Sequence, residues 1–198
     1  HQQLAATFLF IARRLSSGTA PAGVGGARDP NLVPDLLRKA LAIHQMCGDV
    51  QQQAVVLQLL AAATRDGGSR REALGILHKA LKAAADANSL SLVVRIRLDL
   101  ATMLRGEDME EALRVLLQCH RATPNNALPA AETDVADESL WMEALTAVRG
   151  LLRDLAAKGG ASAKVQRYRT LYRLALTAPA KGQVPEHLRQ LEHAWISK

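Results

Sequence analysis

The sequence has few of the residues from which disulfide frameworks, membrane spans and β-sheets are built. Aromatic residues make up only 3% of the 198 residues although 48% are hydrophobic, so alanine and leucine supply much of the apolar content. Cys47 and Cys119 are too few for a disulfide framework, which favours a reducing, intracellular compartment. No apolar run reaches the roughly 18–20 residues of a membrane span. No segment alternates with period two, so we expect neither a membrane partner nor a sheet.

The net charge indicates which partners the chain favours, and the first residue bears on the origin of the chain. The formal net charge is +6 at pH 7, with a sequence pI of about 9.7. A moderate basic excess favours an acidic protein, an RNA backbone or an anionic surface as partner. The chain begins with His1 rather than Met, as expected of a fragment or a processed chain.

One helical pattern occurs twice between residues 33 and 120. The segment 36–41 (LLRKAL) returns as 76–81 (ILHKAL) after 40 residues, and 72–74 (EAL) returns as 111–113 after 39. Self-similarity with a period of about 20–50 residues is typical of helical arrays, in which each unit buries its apolar face on its neighbours. The sequence therefore predicts an all-α fold of the α-solenoid type.

Breaks in the periodicity divide the chain into about four helix pairs within one domain, residues 1–198. We predict pairs at about 1–47, 49–87, 88–123 and 137–178, and a capping helix at 185–198. Gly48 and Gly67-Gly68 suit helix C-termini. Asp29-Pro30 and Asp49 suit N-termini.

Finer expectations concern helix caps and buried faces. Ser69–Glu72 and Asp108–Glu111 predict capping boxes, in which the side chain of each end residue accepts the backbone N–H of the other. Spacing of three to four residues predicts the apolar stripe Leu4, Phe8, Ile11 and Leu15 in the first helix. In the last helix it predicts Leu188, Leu191 and Trp195 as the buried face, with Arg189, Gln190 and Glu192 facing solvent.

Candidate chemical sites are few and incomplete. The stretch Gly23–Gly26 follows no strand and lacks the Gly-Lys-Ser/Thr ending of a phosphate loop, so we expect a surface loop. His44 and Cys47 lie three residues apart but supply only two of the four ligands that zinc prefers. No nucleophile, base and acid are arranged on a strand-to-helix turn. The sequence predicts no metal, no cofactor and no enzymatic activity.

The repeat resembles the tetratricopeptide repeat family. In the second pair, the large and small positions of that family's pattern match Leu57, Leu60, Ala61, Ala73, Leu77 and Ala80. Leu100, Ala101, Ala112, Leu116 and Cys119 match in the third pair, and Ile11, Ala12, Leu37 and Ala40 in the first. The fourth pair fits loosely. A spacing near 40 is similar to the long-helix members, and the resemblance implies a right-handed superhelix of antiparallel helix pairs.

The resemblance also implies a partner-binding groove formed by the first helix of each pair. Carrying the family's groove positions onto this chain gives Arg13, Gln58, Arg65, Asp66, Arg95, Asp99, Thr102 and Arg105. The four arginines favour an acidic peptide through charge-assisted hydrogen bonds, although exposed arginines are often only solvated or ion-paired. Gln58 and Ala62 stand where chaperone-binding members clamp a carboxylate, which argues against that role.

The C-terminal part of the chain is the more basic. Residues 138–198 hold ten Lys and Arg against five Asp and Glu. The candidate basic patch is Arg149, Arg153, Lys164, Arg167, Arg169 and Arg173. With Tyr168 and Tyr172 it suggests phosphate contacts and base stacking, but tyrosines four residues apart are also typical of a buried helical stripe.

Three hypotheses follow from these patterns. The first, which we favour, is a non-catalytic protein–protein interaction or scaffold module that binds a partner peptide or helix within a larger chain or complex. The second is an RNA-associated helical protein of a ribonucleoprotein. The third is the sensor arm of a multidomain regulator.

Overall fold

The computed structural model describes residues 2–16, 31–122, 135–157, 162–177, 179 and 183–197. The backbone in these ranges is helical apart from short turns, and no β-strand occurs in them. The helices are α1 (Gln2–Ser16), α2 (Leu32–Met46), α3 (Val50–Asp66), α4 (Arg70–Asp86), α5 (Leu90–Leu104), α6 (Met109–Leu117), α7 (Val135–Ala157), α8 (Ala163–Leu176) and α9 (Val184–Ile196). A 3-10 turn, Gln118–Ala122, follows α6 directly. The all-α class is confirmed for the part of the chain that is described.

Most predicted helix boundaries agree with the structure to within one or two residues. One difference is α7, which begins at Val135, two residues before the predicted start of the fourth pair at 137. The other is α6, which ends at Leu117 and continues as the 3-10 turn. Gly23–Gly26 and Asp29-Pro30 lie outside the described residues.

The chain divides into two compact units, His1–Leu92 and Val93–Lys198, and each is described by itself. In the first unit α1 packs on α2, α2 on α3, and α3 on α4. In the second unit α6 packs on α7 and α7 on α8, while α9 contacts α6, the 3-10 turn, α7 and α8. Packing of each helix on its neighbours is what the repeat predicts. The single continuous domain stays a prediction.

Three turns of one geometry join α2 to α3, α3 to α4 and α4 to α5. Gly48, Gly68 and Asn88, each 20 residues from the next, have positive φ angles of 68°, 89° and 51°. The amide of the following residue donates to the carbonyl five residues earlier: Asp49 to His44 at 3.0 Å, Ser69 to Thr64 at 3.1 Å and Ser89 to Ala84 at 3.1 Å. This bond defines the Schellman motif, whose left-handed residue is usually glycine and sometimes asparagine. The repeat of about 40 residues therefore consists of two helix–turn units of 20.

Aspartates cap two helices as predicted. The Asp49 carboxylate accepts the amide of Gln52 at 3.1 Å at the start of α3. Asp108 accepts the amides of Glu110 and Glu111 at 3.0 Å at the start of α6. Each bond satisfies amides that have no partner within the helix.

The reciprocal capping boxes, in contrast, are wrong. The Ser69 side chain makes no cap hydrogen bond. Glu111 forms an ion pair with Arg114, one turn further along α6, rather than turning back to the cap residue. An arginine at i+3 offers the carboxylate a charged partner on the same helical face.

Small and large apolar residues are combined in the core of the first unit. One cluster of this core contains Leu9, Ala12, Leu37, Ala40, Val56 and Leu60. Ala40, Ala61 and Ala80 are fully buried, and residues of this size let helices approach closely.

The stripe predicted for α1 is wrong at Leu4 and Ile11, whereas Phe8 packs against the core of the first unit and the side chain of Leu15 lies outside the described part of the chain. Leu4 is 49% and Ile11 38% exposed, whereas Ala5, Leu9 and Ala12 are buried. Spacing alone does not decide between two adjacent stripes, and the packing of α1 on α2 buries the stripe that carries Ala5, Leu9 and Ala12.

The predicted packing of the last helix is confirmed. Leu188 and Leu191 are fully buried, and the half-buried Trp195 stacks on Tyr168 of α8 with ring centroids 5.7 Å apart. Glu192, which we expected to face solvent, is only 5% exposed. That expectation is wrong because α9 is contacted by four elements, so its buried face is wider than its apolar stripe.

Candidate partner-binding groove

A groove in the first unit lies between α2 and α4, with α3 at its base. Its volume is about 530 Å³, within the range of roughly 300–1,000 Å³ that is usual for ligand sites. The short turns make α2 and α4 each antiparallel to α3, so the two walls run in the same direction. We call this feature the α2–α4 groove.

The base of the α2–α4 groove is apolar. Val50, Leu57 and Leu60 lie on one face of α3, and Leu41 and Ile76 project from the walls. Leu60 is buried, whereas the other four side chains are half-buried. Covering the apolar area that remains exposed is favourable by about 25 cal/mol per Å², so this base suits apolar side chains of a partner.

The rim of the groove is charged, and its cations differ in their partners. Arg38 of α2 donates to Asp35 at 2.8 Å. Lys79 and Lys82 of α4 are exposed, and neither forms an ion pair with any residue that the structure describes. Glu72 and Asp86 lie toward the two ends of α4. The middle of the rim is therefore positive.

The groove residues predicted from the family resemblance lie elsewhere, and none lines the α2–α4 groove. In the first unit, Arg13 is exposed, Gln58 is half-buried, and Arg65 donates two hydrogen bonds of 3.0 Å to the neighbouring Asp66. The structure thus brings Arg65 and Asp66 together as an exposed pair. Their role in binding stays a prediction.

In the second unit the remaining predicted positions have different surroundings. Arg95 is exposed and Asp99 half-buried. The Thr102 hydroxyl donates to the Leu98 carbonyl at 2.9 Å, which is a bond within the helix. Arg105 pairs with Asp154 of α7, and this arginine holds the pKa of Asp154 below its usual value.

Most of the predicted basic patch is engaged within the second unit. Arg149 donates to the carbonyl of Ala175 at 2.6 Å and thereby closes the C-terminus of α8. Lys164 lies 2.6 Å from Glu110, and this contact is the main cause that lowers the pKa of Glu110.

Of the other four patch residues, two form contacts within the second unit and two are exposed. Arg153 lies 3.4 Å from Asp154. Arg167 donates to the Ser197 carbonyl at 3.1 Å and lies over the Trp195 ring. Arg169 and Arg173 are exposed, without an ion pair to another described residue. Two arginines one turn apart on α8 remain available to solvent.

The tyrosines of this region belong to the interior. Tyr168 is 3% exposed, and burial is the main cause that raises its pKa to about 12. Tyr172 is half-buried. The interpretation of Tyr168 as a core residue is confirmed, so its ring is not free to stack on a base.

Sequence reasoning missed a cluster of charged side chains around the buried Glu192 in the second unit. Glu192 of α9 contacts His120 at 2.5 Å and Arg121 at 3.0 Å, both in the 3-10 turn. Arg97 donates to the Gln118 carbonyl in the same turn, and burial lowers its pKa. The only sequence signal for the burial of Glu192 was its position four residues after Leu188, a predicted core residue. Glutamates at this spacing from a leucine are also common on exposed helices.

Two further ionisable side chains of the second unit, those of His187 and Cys119, are buried. His187 of α9 is 7% exposed, and burial followed by the charge of Arg149 lowers its pKa. Cys119 is fully buried, as expected at a small packing position. Cys47 is exposed.

No protein-family model matches the chain, and no curated protein matches it with significant similarity. Among the described residues, no helix is long and apolar enough to cross a membrane. Nor do three or more His, Cys, Asp or Glu side chains in these ranges come together as metal ligands would. The functional conclusion therefore depends on the geometry of the surface.

Proposed function

We propose that the protein is a non-catalytic interaction module that binds a segment of a partner protein in the α2–α4 groove. The observation that carries the proposal is the groove itself, whose half-buried apolar base is bordered by the exposed Lys79 and Lys82. Interfaces of this kind combine an apolar centre with a polar rim.

The helix–turn units support an extended array as the scaffold of this module. Three congruent turns at Gly48, Gly68 and Asn88 repeat the same chain reversal, and repeated reversals of one kind build a stack. We propose that the stack is a tetratricopeptide-like solenoid, which serves as a scaffold subunit in a larger complex.

An RNA-binding function has less support. Four residues of the predicted basic patch already contact carboxylates or backbone carbonyls in the second unit. Tyr168 is buried against Trp195. A site for single-stranded RNA needs exposed aromatic faces beside free cations, and Arg169 and Arg173 alone supply only the second of these.

Site-specific photocrosslinking tests the proposal in cells that produce the protein. A photoreactive amino acid is placed at Lys79 on the groove rim, and at Lys39, an exposed residue of α2 outside the groove, as the matched control. Arg65 and Arg95 carry the probe in two further variants, which report on the face predicted from the family resemblance.

The expected result is an adduct from Lys79 that maps to one segment of one protein and is absent from Lys39. That segment, made as a synthetic peptide, should bind the purified protein and lose affinity with Leu57→Ala. If adducts form only from Arg65 and Arg95, the protein is still an interaction module, but its partner binds the face predicted from the family resemblance and not the α2–α4 groove. Nuclease-sensitive adducts, or none from any position, would overturn the proposal.

A further inference from the structure

The charges and dimensions of the α2–α4 groove also define the class of its occupant. We infer that the groove selects an amphipathic helix whose apolar stripe is flanked by carboxylates near its middle. This inference rests on the proposed function and specifies the partner chemistry of the same groove.

The length of the apolar base suits about three turns of helix. Val50 and Leu60 mark its ends on α3, and a rise of 1.5 Å per residue separates them by about 15 Å. Leu41 and Ile76 flank the base on opposite walls. A helix that lies in such a groove contacts it with apolar side chains at i, i+3 or i+4, and i+7.

The distribution of rim charges supplies the second criterion. Lys79 and Lys82 lie three residues apart and so share one face of α4. Arg38 on the opposite wall is already paired with Asp35, so the two lysines are the cations that a ligand carboxylate meets. Glu72 and Asp86 lie about 10 Å and 6 Å further along α4 in opposite directions, at 1.5 Å per residue. Acidic residues are therefore favoured at the centre of the occupant and disfavoured at its ends.

A helical partner fits this combination better than a phosphate backbone does. A nucleic acid would satisfy the lysines but leave the apolar base in contact with water. An amphipathic helix covers the base and places carboxylates at the rim in a single binding mode.

A displayed library of amphipathic helices tests the inference. Each member has about 15 residues with leucines at i, i+3 and i+7, and the positions beside the leucines are randomised. Three forms of the whole purified chain are the targets of selection. They are the wild type, a double variant with Lys79→Glu and Lys82→Glu, and Lys39→Glu as the matched control outside the groove. Thermal melts first establish that each variant is folded. Because Lys79 and Lys82 are exposed, substitutions there leave the core intact.

The expected result is enrichment of Asp and Glu at central positions with the wild type and with Lys39→Glu, and of Lys and Arg with the double variant. Replacing the selected glutamates by glutamine should weaken binding, measured by fluorescence anisotropy, by about 2–5-fold per charge pair. Leu57→Ala should weaken binding of every selected helix, which assigns them to this groove.

Other outcomes overturn the inference and separate it from the proposed function. Helices that depend on Leu57 but show no charge preference would leave the groove as a helix site and refute the acidic selectivity. If no helix is selected while crosslinks form at Arg65 and Arg95, the module stands and the groove is not its site. If neither experiment gives binding, both proposals are wrong.

Discussion

Glu192 and His120 form a buried contact that fastens the last helix to the 3-10 turn. Glu192 Oε2 lies 2.5 Å from His120 Nε2, and the two side chains are 7% and 11% exposed. Arg121 approaches the other carboxylate oxygen at 3.0 Å. Removing a charge from water is costly, so a buried carboxylate is retained only where donors replace its hydration.

Replacement of Glu192 should therefore destabilise the second unit. We expect Glu192→Ala to lower the free energy of unfolding by about 1–3 kcal/mol, because the buried His120 loses its acceptor. Urea unfolding monitored by circular dichroism measures the change. Glu186→Ala is the matched control on the same helix, since Glu186 forms an exposed pair with Arg189 and its loss should change little. If both substitutions lowered the free energy of unfolding equally, the buried contact of Glu192 would stabilise the protein no more than an exposed ion pair does.

The left-handed turns make a prediction about glycine. Gly68→Ala should destabilise by about 1–2 kcal/mol, because a Cβ is unfavourable at its φ of 89°. Gly75→Ala, within α4, should instead stabilise by about 0.5–1 kcal/mol, since alanine is the better helix former. A Cβ at either position meets no atom within 4 Å, so the two substitutions differ in backbone conformation and not in packing. Thermal melts compare them, and a shift of the same sign in both would contradict the assignment.

The two cysteines should differ in reactivity. Cys47 is exposed, whereas burial raises the pKa of Cys119 from 9.0 to about 12, so little of the thiolate that reacts is present in the folded state. A thiol reagent at pH 8 should modify Cys47 quickly and Cys119 only after denaturation. Cys47→Ser isolates the buried thiol for this measurement, and rapid labelling of that variant would contradict the burial.

The same pKa shift determines the direction of a pH effect. A raised folded-state pKa means that the folded chain holds the Cys119 proton more tightly than the unfolded chain does. Its contribution to stability is complete below pH 9 and is lost as the pH rises toward 12. Cys119→Ala should reduce the fall in stability over this alkaline range, as measured by urea unfolding at several pH values.

The packing of α9 is tested by substitution within its buried face. Leu188→Ala should lower the free energy of unfolding by about 2–5 kcal/mol, the usual cost of a core cavity. Ile196→Ala is the control, because Ile196 on the same helix is 59% exposed. Deletion of residues 184–198 should lower the melting temperature further. A deletion variant that keeps its melting temperature and stays monomeric would assign Trp195 to an interface with another protein.

Local patterns in the sequence predicted the helices well because each depends on neighbouring residues. Periodic leucines and alanines, the glycines at Gly48 and Gly68, and the caps Asp49 and Asp108 all act within a few residues of chain. The step of 40 residues between similar segments likewise predicted that successive helices pack on one another. Asn88 gives a weaker local signal, since asparagine occupies a left-handed position less often than glycine.

Contacts between distant residues were decided by the tertiary structure alone. Whether Leu4 or Leu9 of α1 is buried depends on which face of α1 packs on α2, and whether Glu192 is buried depends on elements more than 70 residues away in sequence. The α2–α4 groove arises in the same way, because its walls and base come from three helices. The sequence by itself determined which segments form helices and that helices adjacent in sequence pack on one another within each unit. The effect of side-chain size and charge at the helix crossings is decided only when the neighbouring helix is in place, because burial and ion pairing depend on both partners.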